Sequence, residues 1–251
     1  MYFNLVYFTV QSTWNQELKY SLRSFEKFFS GLGEVWIFGY LPEYLDPSKI
    51  HHIPKQPVVK SGVFTQSGIR RLVARDHPEI GEDFIIASDD HYLLRPVSID
   101  DFGPYLLEDL SKVKTRGQSG WQQKLWRTYD LLVHMGYSTY NYESHTPMHI
   151  NRQQYAEMAN LFINIEKAAH HDNQSYCPST AYWNIEGAHL PRRLAEAYRC
   201  GFTTGNRTNR KSKIKTALEG KTFLYHNDRG LTRALKAVIQ ELYPEKSRFE
   251  L

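Results

Sequence analysis

Phe84-Ile85-Ile86-Ala87-Ser88-Asp89-Asp90-His91 is a short apolar run that stops at two adjacent acids and a histidine. The run is brief, rich in isoleucine and bounded by polar residues, so it reads as a buried strand. Its charged triplet then lies at the carboxyl end of that strand, where open α/β sheets place their ligands. Clustered carboxylates repel one another unless a positive group joins them. Asp89, Asp90 and His91 are therefore candidate ligands for a divalent metal ion that carries a diphosphate. Hard oxygen ligands suit Mg2+ or Mn2+, and an imidazole tilts the choice to Mn2+. The competing reading is a plain surface turn of charged residues.

The signals around this strand alternate. Met1 to Val10 reads as a first buried strand. Thr13-Trp14-Asn15-Gln16 has a capping-box pattern, with Leu18, Leu22, Phe25 and Phe29 following at helical spacing. Gly31 and Gly33 are expected to end that helix. Val35 to Gly39 and Ile50 to Ile53 read as short strands, and a second helix is expected from Thr65, with Ile69, Leu72 and Val73 buried. This order predicts an α/β fold, with a mostly parallel central sheet and helices on both faces, followed by a less regular C-terminal half. Beyond it, Gln118 to Trp121 reads as a loop, 152–168 as a helix, Leu190 to Tyr198 as a short helix with Gly201 after it, and Asp228 as the N-cap of a last helix. No stretch is rich enough in Pro or Gly to cut the 251 residues, so one domain is expected over 1–251.

No 18-residue apolar run is present, so no transmembrane helix is expected, and the first ten residues lack the basic start of a signal peptide. Cys177 and Cys200 match no zinc spacing, and two thiols in a reducing cytoplasm are expected rather than a disulfide. The net charge of +4 conceals an asymmetry: residues 1–110 carry 10 Lys/Arg against 15 Asp/Glu, and 111–251 carry 21 against 12. The densest basic segment, 192–215, holds eight basic residues and one acid. Such a segment is either a solvated loop or a footprint for a polyanion. Arg207, Arg210, Lys211, Lys213 and Lys215 are its candidate nucleic-acid contacts.

Neither the dinucleotide fingerprint nor the P-loop pattern occurs, and there is no nucleophile elbow. Phosphate must then be held by other means. Ser88-Asp89-Asp90 after a buried strand resembles the Asp-x-Asp element of GT-A fold nucleotide-sugar glycosyltransferases. The resemblance implies a GT-A-like fold, a nucleotide-sugar donor (a UDP-sugar by preference), and a metal ion bridging an acid to its diphosphate. It also implies a late histidine at the metal, a role that His226 matches in Phe223-Leu224-Tyr225-His226. Asp90 is the ligand by the usual alignment; Asp89 and His91 serve by an Asp-x-His variant. On this reading 1–110 is the nucleotide-sugar half and 111–251 the acceptor half.

A narrower resemblance covers residues 17–105 and 143–152. Leu18-Lys19-Tyr20-Ser21-Leu22-Arg23-Ser24-Phe25-Glu26-Lys27 is similar to the Arg-Tyr-Ser-Leu-Arg-Ser-x-Glu-Lys segment of Stealth-type sugar-phosphate transferases. Phe64 to Ser67, Asp89-Asp90 with Arg95-Pro96, and His145-Thr146-Pro147 with Arg152 resemble further motifs of that family in the same order. Ser88 and Gln66 stand where the family has Asn.

Thr9, Lys60, Gln66, Arg70 and Asp89 are the candidate donor-binding residues, and Arg71 is a weaker one. His145, Asp172 and Glu186 are candidates for activating an acceptor hydroxyl, and Trp121 and Trp183 for stacking on a sugar or base. The leading expectation is sugar transfer to a hydroxymethylated pyrimidine in DNA, as in small viral glycosyltransferases acting in the host cytoplasm. Its alternatives are sugar 1-phosphate transfer to a glycan, a non-catalytic nucleic-acid-binding protein and a carbohydrate-binding module.

Overall fold

The computed structural model describes residues 1–11, 14–54, 70, 73–113, 119–169, 171 and 174–251. The strands in chain order are β1 (Phe3–Thr9), β2 (Leu32–Gly39), β3 (His51–Ile53), β4 (Asp83–Ala87), β5 (His91–Leu93), β6 (Tyr105–Leu106), β7 (Glu108–Asp109), β8 (Tyr140–Asn141), β9 (Met148–Asn151), β10 (Arg193–Leu194), β11 (Arg199–Phe202) and β12 (Phe223–His226). The main sheet has the order β3-β2-β1-β4-β9, parallel except for the antiparallel edge strand β9. A three-stranded sheet, β11-β12-β5, lies beyond it. The α/β architecture and the mostly parallel sheet are as the apolar runs predict.

Alternation along β1, β2 and β4 sorts the core into two layers. Val6, Phe38, Phe84 and Ile86 face one side, where helices Gly120–His134, Arg152–Leu161 and Pro178–Ile185 cover them. Leu5, Tyr7, Ile37, Ile85 and Ala87 face the other, against Leu18, Leu22 and Phe25 of helix Glu17–Phe28. The third core, around Tyr92, Leu224, Leu235 and Val238, joins the small sheet to helices Lys211–Leu218 and Arg233–Leu242. Among the described residues no helix is long and apolar enough to cross a membrane, and both cysteines are free thiols.

Several boundaries differ from the sequence reading. The first helix starts at Glu17, four residues past the expected cap. Asn15 turns left-handed (φ 53°), and the Glu17 carboxylate takes the Gln16 N–H. That helix ends at Phe28, and Gly33 belongs to β2. The second helix is described only at Arg70 and 73–76; Thr65 lies outside the described residues. The stretch read as a loop around Trp121 opens helix Gly120–His134, because Ser119 Oγ accepts the Gln122 N–H and Leu125 and Leu132 are buried. Residues 152–168 form two helices that break at Phe162. Only Ala195–Tyr198 of the 190–198 segment is helical, and Gly201 lies inside β11.

The last helix is capped by Thr232, not Asp228. Thr232 Oγ1 accepts the Leu235 N–H at 3.3 Å and donates to the Thr208 carbonyl at 2.8 Å. Thr232→Ala is expected to cost about 1 kcal/mol, a fall of roughly 3 °C in Tm for a chain of this size. Asp228→Ala is expected to cause no fall. A thermal melt in which Asp228→Ala is the more damaging change would restore Asp228 as the cap.

Candidate functional site

The chain order builds a crevice in the main sheet. From β1 the chain moves outward to β2 and β3, then returns to the other side of β1 as β4. The switch in direction lies between β1 and β4, and ligands bind outside the carboxyl ends of the strands at such a point. Thr9 ends β1 there, and Asp89 follows β4. A narrow cleft lined by Thr9, Asn15, Glu17, Tyr40, Tyr44 and Asp89 opens at this point. Beside it an open groove of about 600 Å3 crosses the ends of β1, β2 and β3, lined by Val10, Gly39, Tyr40, His52 and Pro54. Thr9 Oγ1 donates to the Tyr40 carbonyl at 2.6 Å, and His52 Nε2 is 2.9 Å from the Gly39 carbonyl, so the groove floor is fixed.

Asp89 and Asp90 form the turn between β4 of the main sheet and β5 of the small one. Burial pushes the Asp89 carboxyl up to about 6, and Glu17 and Asp228 add to the rise. Asp90 is held well above the usual carboxylate range by burial and then by Asp89. Four acids thus act on one another at the switch point, the arrangement that a cation relieves. This donor set fits a divalent ion. Among the described residues no three His, Cys, Asp or Glu side chains converge as a ready-made cage. Mg2+ or Mn2+ would take one or two carboxylates, here Asp89 and Asp90, and complete its shell with phosphate and water.

The histidines have different surroundings. His91 Nδ1 accepts the Ser88 N–H at 3.2 Å, which leaves the proton of the neutral ring on Nε2, 3.9 Å from Asp90 Oδ1. Burial holds its pKa well down, and His145, Arg70, His226 and Arg199 add to the effect. β12 runs antiparallel to β5, so His226, at the end of β12, comes beside the acidic turn. It is 2% exposed and its Nε2 lies 2.9 Å from the Tyr92 hydroxyl, which leaves Nδ1 as its remaining ring atom for a metal. Burial lowers its pKa to about 4.

His145 is held in the left-handed region (φ 51°), a conformation costly for a histidine. Its ring stacks on Tyr225 with centroids 5.1 Å apart, and the Arg199 guanidinium lies 5.0 Å from the same Tyr225 ring. Burial lowers the His145 pKa, so the ring is neutral at pH 7. Ser88, His91 and His145 line a hollow of about 100 Å3 together with Trp121, Glu143, Ser179 and Arg70. Arg70 donates to Ser179 Oγ at 3.0 Å.

The structure thus brings Thr9, Asp89, Asp90, His91, His226, His145 and Arg70 to the switch-point end of the molecule. It does not bring Glu186. That residue lines a separate cavity with Phe3 and Asp83, the opposite ends of β1 and β4, about 20 Å away along a strand of this length. All five basic candidates, Arg207, Arg210, Lys211, Lys213 and Lys215, are exposed, and Lys211 and Lys215 both bond Glu241. Lys60, Gln66 and Asp172 lie outside the described residues. Glu17, Asp228, Arg199 and Tyr225 were not singled out from sequence as site residues. The one legible signal was the position of Asp228, two residues after His226.

No family model matches this chain, and no curated protein matches it. Its path is similar to that of the galactosyltransferase LgtC in complex with donor and acceptor sugar analogs, at 11% identity over 97% of this chain and 96% of that one, with a TM-score of 0.48. It is also similar to the apo form of the glycosyltransferase GlyE of Streptococcus pneumoniae TIGR4, at 10% identity and a TM-score of 0.49, covering 98% of this chain and 61% of that one.

Proposed function

We propose that this chain is a GT-A-like, metal-dependent glycosyltransferase that moves a sugar from a nucleoside diphosphate sugar to an acceptor hydroxyl. The observation that carries this reading is the half-buried, mutually repelling pair Asp89 and Asp90 at the switch point between β1 and β4. Asp89 and Asp90 would hold the ion, and His226, whose buried Nδ1 has no partner, would join them only through a shift of its side chain. A bound ion supplies the positive charge that stabilises a departing diphosphate. The groove across β1, β2 and β3 takes the nucleoside, with Thr9 and Tyr40 at its inner edge. His145, neutral and at the wall of the adjoining hollow, is the candidate to accept the acceptor's proton.

A saccharide hydroxyl is favoured as the acceptor over a base in DNA. All five proposed phosphate contacts are exposed, but Lys211 and Lys215 both close on Glu241, so two of the five already face a carboxylate. Phosphate neutralisation is what binding to a duplex requires.

A thermal-shift series with nucleotide-sugars, with and without Mn2+, tests the donor site. One nucleotide class is expected to raise Tm by several degrees only with the metal present. The absence of any metal-dependent shift would remove the donor reading. Released nucleoside diphosphate marks sugar transfer, and released monophosphate marks the sugar 1-phosphate alternative. Label transferred from the sugar to hydroxymethylated DNA would overturn the acceptor assignment.

A further inference from the structure

A cavity of about 670 Å3 lies at the opposite end of the main sheet from the acidic turn. It opens beside the first residues of β1 and β4 and along β9, under helix Pro178–Ile185. Its size falls in the range of small-molecule sites, roughly 300–1,000 Å3. The donor reading makes no use of it.

Phe3, Tyr182 and Trp183 give the cavity an aromatic wall. Asp83, Gln154 and Glu186 give it planar polar groups that accept and donate hydrogen bonds. These groups are ordered before any ligand arrives. Asp83 Oδ1 lies 3.1 Å from His149 Nε2 and accepts from Asn151 Nδ2 at 3.3 Å. The Tyr182 hydroxyl accepts the Asn151 N–H at 3.0 Å and donates to Gln154 Oε1 at 3.3 Å. The Glu186 carboxylate makes no hydrogen bond or ion pair among the described residues, although the residue is half-buried. Arg193, the arginine of the lining, already donates to the Asp100 carbonyl at 2.9 Å and faces Asp101 at 3.7 Å. Three carboxylates, Asp83, Asp100 and Glu186, line the cavity beside His149, His189 and Arg193, which sets it against a phosphate or nucleotide. Aromatic faces set among planar amides and carboxylates suit a neutral, polyhydroxylated ring.

We infer that this cavity is a saccharide-binding site, in which Glu186, Asp83 and Gln154 bond the hydroxyls of a neutral sugar lying against Tyr182 and Trp183. Gly103 and Trp183 line both this cavity and the hollow that holds His145. The two spaces therefore adjoin along β9, and a longer glycan bound here points toward the transfer site. Glu186 then acts in holding sugar rather than in activating a hydroxyl.

Saturation-transfer NMR and titration with lactose, maltose and cellobiose test the site in the intact chain. At least one is expected to bind the wild type. Its affinity is expected to fall tenfold or more in Glu186→Gln and to vanish in Gln154→Trp, which fills the cavity from an exposed helical position. Binding is expected to persist in Asp90→Asn and with UDP and Mn2+ present. Failure of all three sugars to bind, equal binding by the two cavity variants and the wild type, or loss of binding in Asp90→Asn would each overturn the inference. The UDP and Mn2+ thermal shift, run on the same proteins, reports the donor crevice separately. Its loss alongside retained sugar binding sinks the donor reading alone, and its retention also shows that the cavity variants fold.

Discussion

Asp90→Asn is expected to abolish transfer and, in the metal-free protein, to raise the melting temperature. Both effects have one cause. Asp90 is one of four acids around the switch point, and its carboxyl is held well above the ordinary range by burial and by Asp89. Removing its charge relieves Asp89 and Glu17 while leaving the shape of the side chain intact. The same removal takes away a ligand of the proposed ion, and a loss of roughly 1,000-fold in kcat is expected, since stabilisation of developing charge is a major part of the rate. Asp89 gives the pH dependence its sign. Its carboxyl titrates at about 6 in the folded chain against 3.8 as the ordinary value. A raised carboxyl favours folding below the unfolded pKa, and that contribution is lost as pH rises through the folded value. Metal-free protein is therefore expected to lose about 2 kcal/mol from this group between pH 4 and 7. Saturating Mn2+ is expected to remove most of that slope, because the ion favours the charged form. Melting curves from pH 4 to 7 for wild type and Asp90→Asn, with and without Mn2+, check both signs. A metal-free Asp90→Asn protein that melts below the wild type throughout this range would show that the acids are not in conflict.

The parts of the molecule read correctly from sequence are those fixed by local patterning. Ile85 and Ile86 face opposite layers, and each layer demanded an apolar residue, so β4 was visible as an unbroken run. Leu18, Leu22 and Phe25 share one helical face, so the first helix was visible even though its start was displaced by the turn at Asn15. Helix Gly120–His134 was missed at its start because its polar opening, Ser119 to Trp121, carries no apolar spacing. The decisive contact there is a single hydroxyl, Ser119 Oγ to the Gln122 N–H. Leu190 to Tyr198 has apolar residues at helical intervals, yet Arg193 and Leu194 pair with Tyr105 and Leu106 as β10. A pairing across so many residues leaves no mark in a local window.

The candidate site divides in the same way. Asp89, Asp90 and His91 were legible because they interrupt a buried run. His226 was legible only by position, and its neighbour is fixed by the β5–β12 ladder, in which Tyr225 opposes His91. Glu17 and Asp228 join the site through tertiary folding from a helix start and a loop, where acids are common for other reasons. Glu186 looked equivalent to Asp172 in the sequence. Only the direction of β9 against β4 shows that it belongs to the far end of the sheet.

Gly201→Ala is expected to damage the site from outside it. Gly201 opposes Tyr225 in the β11–β12 ladder. A Cβ at Gly201 would lie 2.1 Å from Tyr225 Cζ and 2.3 Å from its Cε1. Gly201 is not among the glycines with positive φ, so the penalty is steric rather than conformational. The ring must give way, and it is held on the other partners' terms: His145 stacks on it and Arg199 lies against it. Arg199 in turn donates to the Ser144 carbonyl, next to His145. Moving Tyr225 therefore moves the one residue of the hollow that is already in a strained backbone conformation. Overpacking of this kind costs about 2 kcal/mol, a fall of roughly 5 °C in Tm. Displacement of a positioned group by about 1 Å costs roughly 100-fold in rate, and the loss is expected in kcat with little change in the Mn2+-dependent binding of UDP. Adding Tyr225→Leu to Gly201→Ala is expected to recover the melting temperature but not the rate, because the clash is gone and the platform under His145 is gone with it. A Gly201→Ala protein that melts lower yet transfers at the wild-type rate would separate Tyr225 and His145 from the chemistry. The acceptor's proton would then have to go to another group in the hollow.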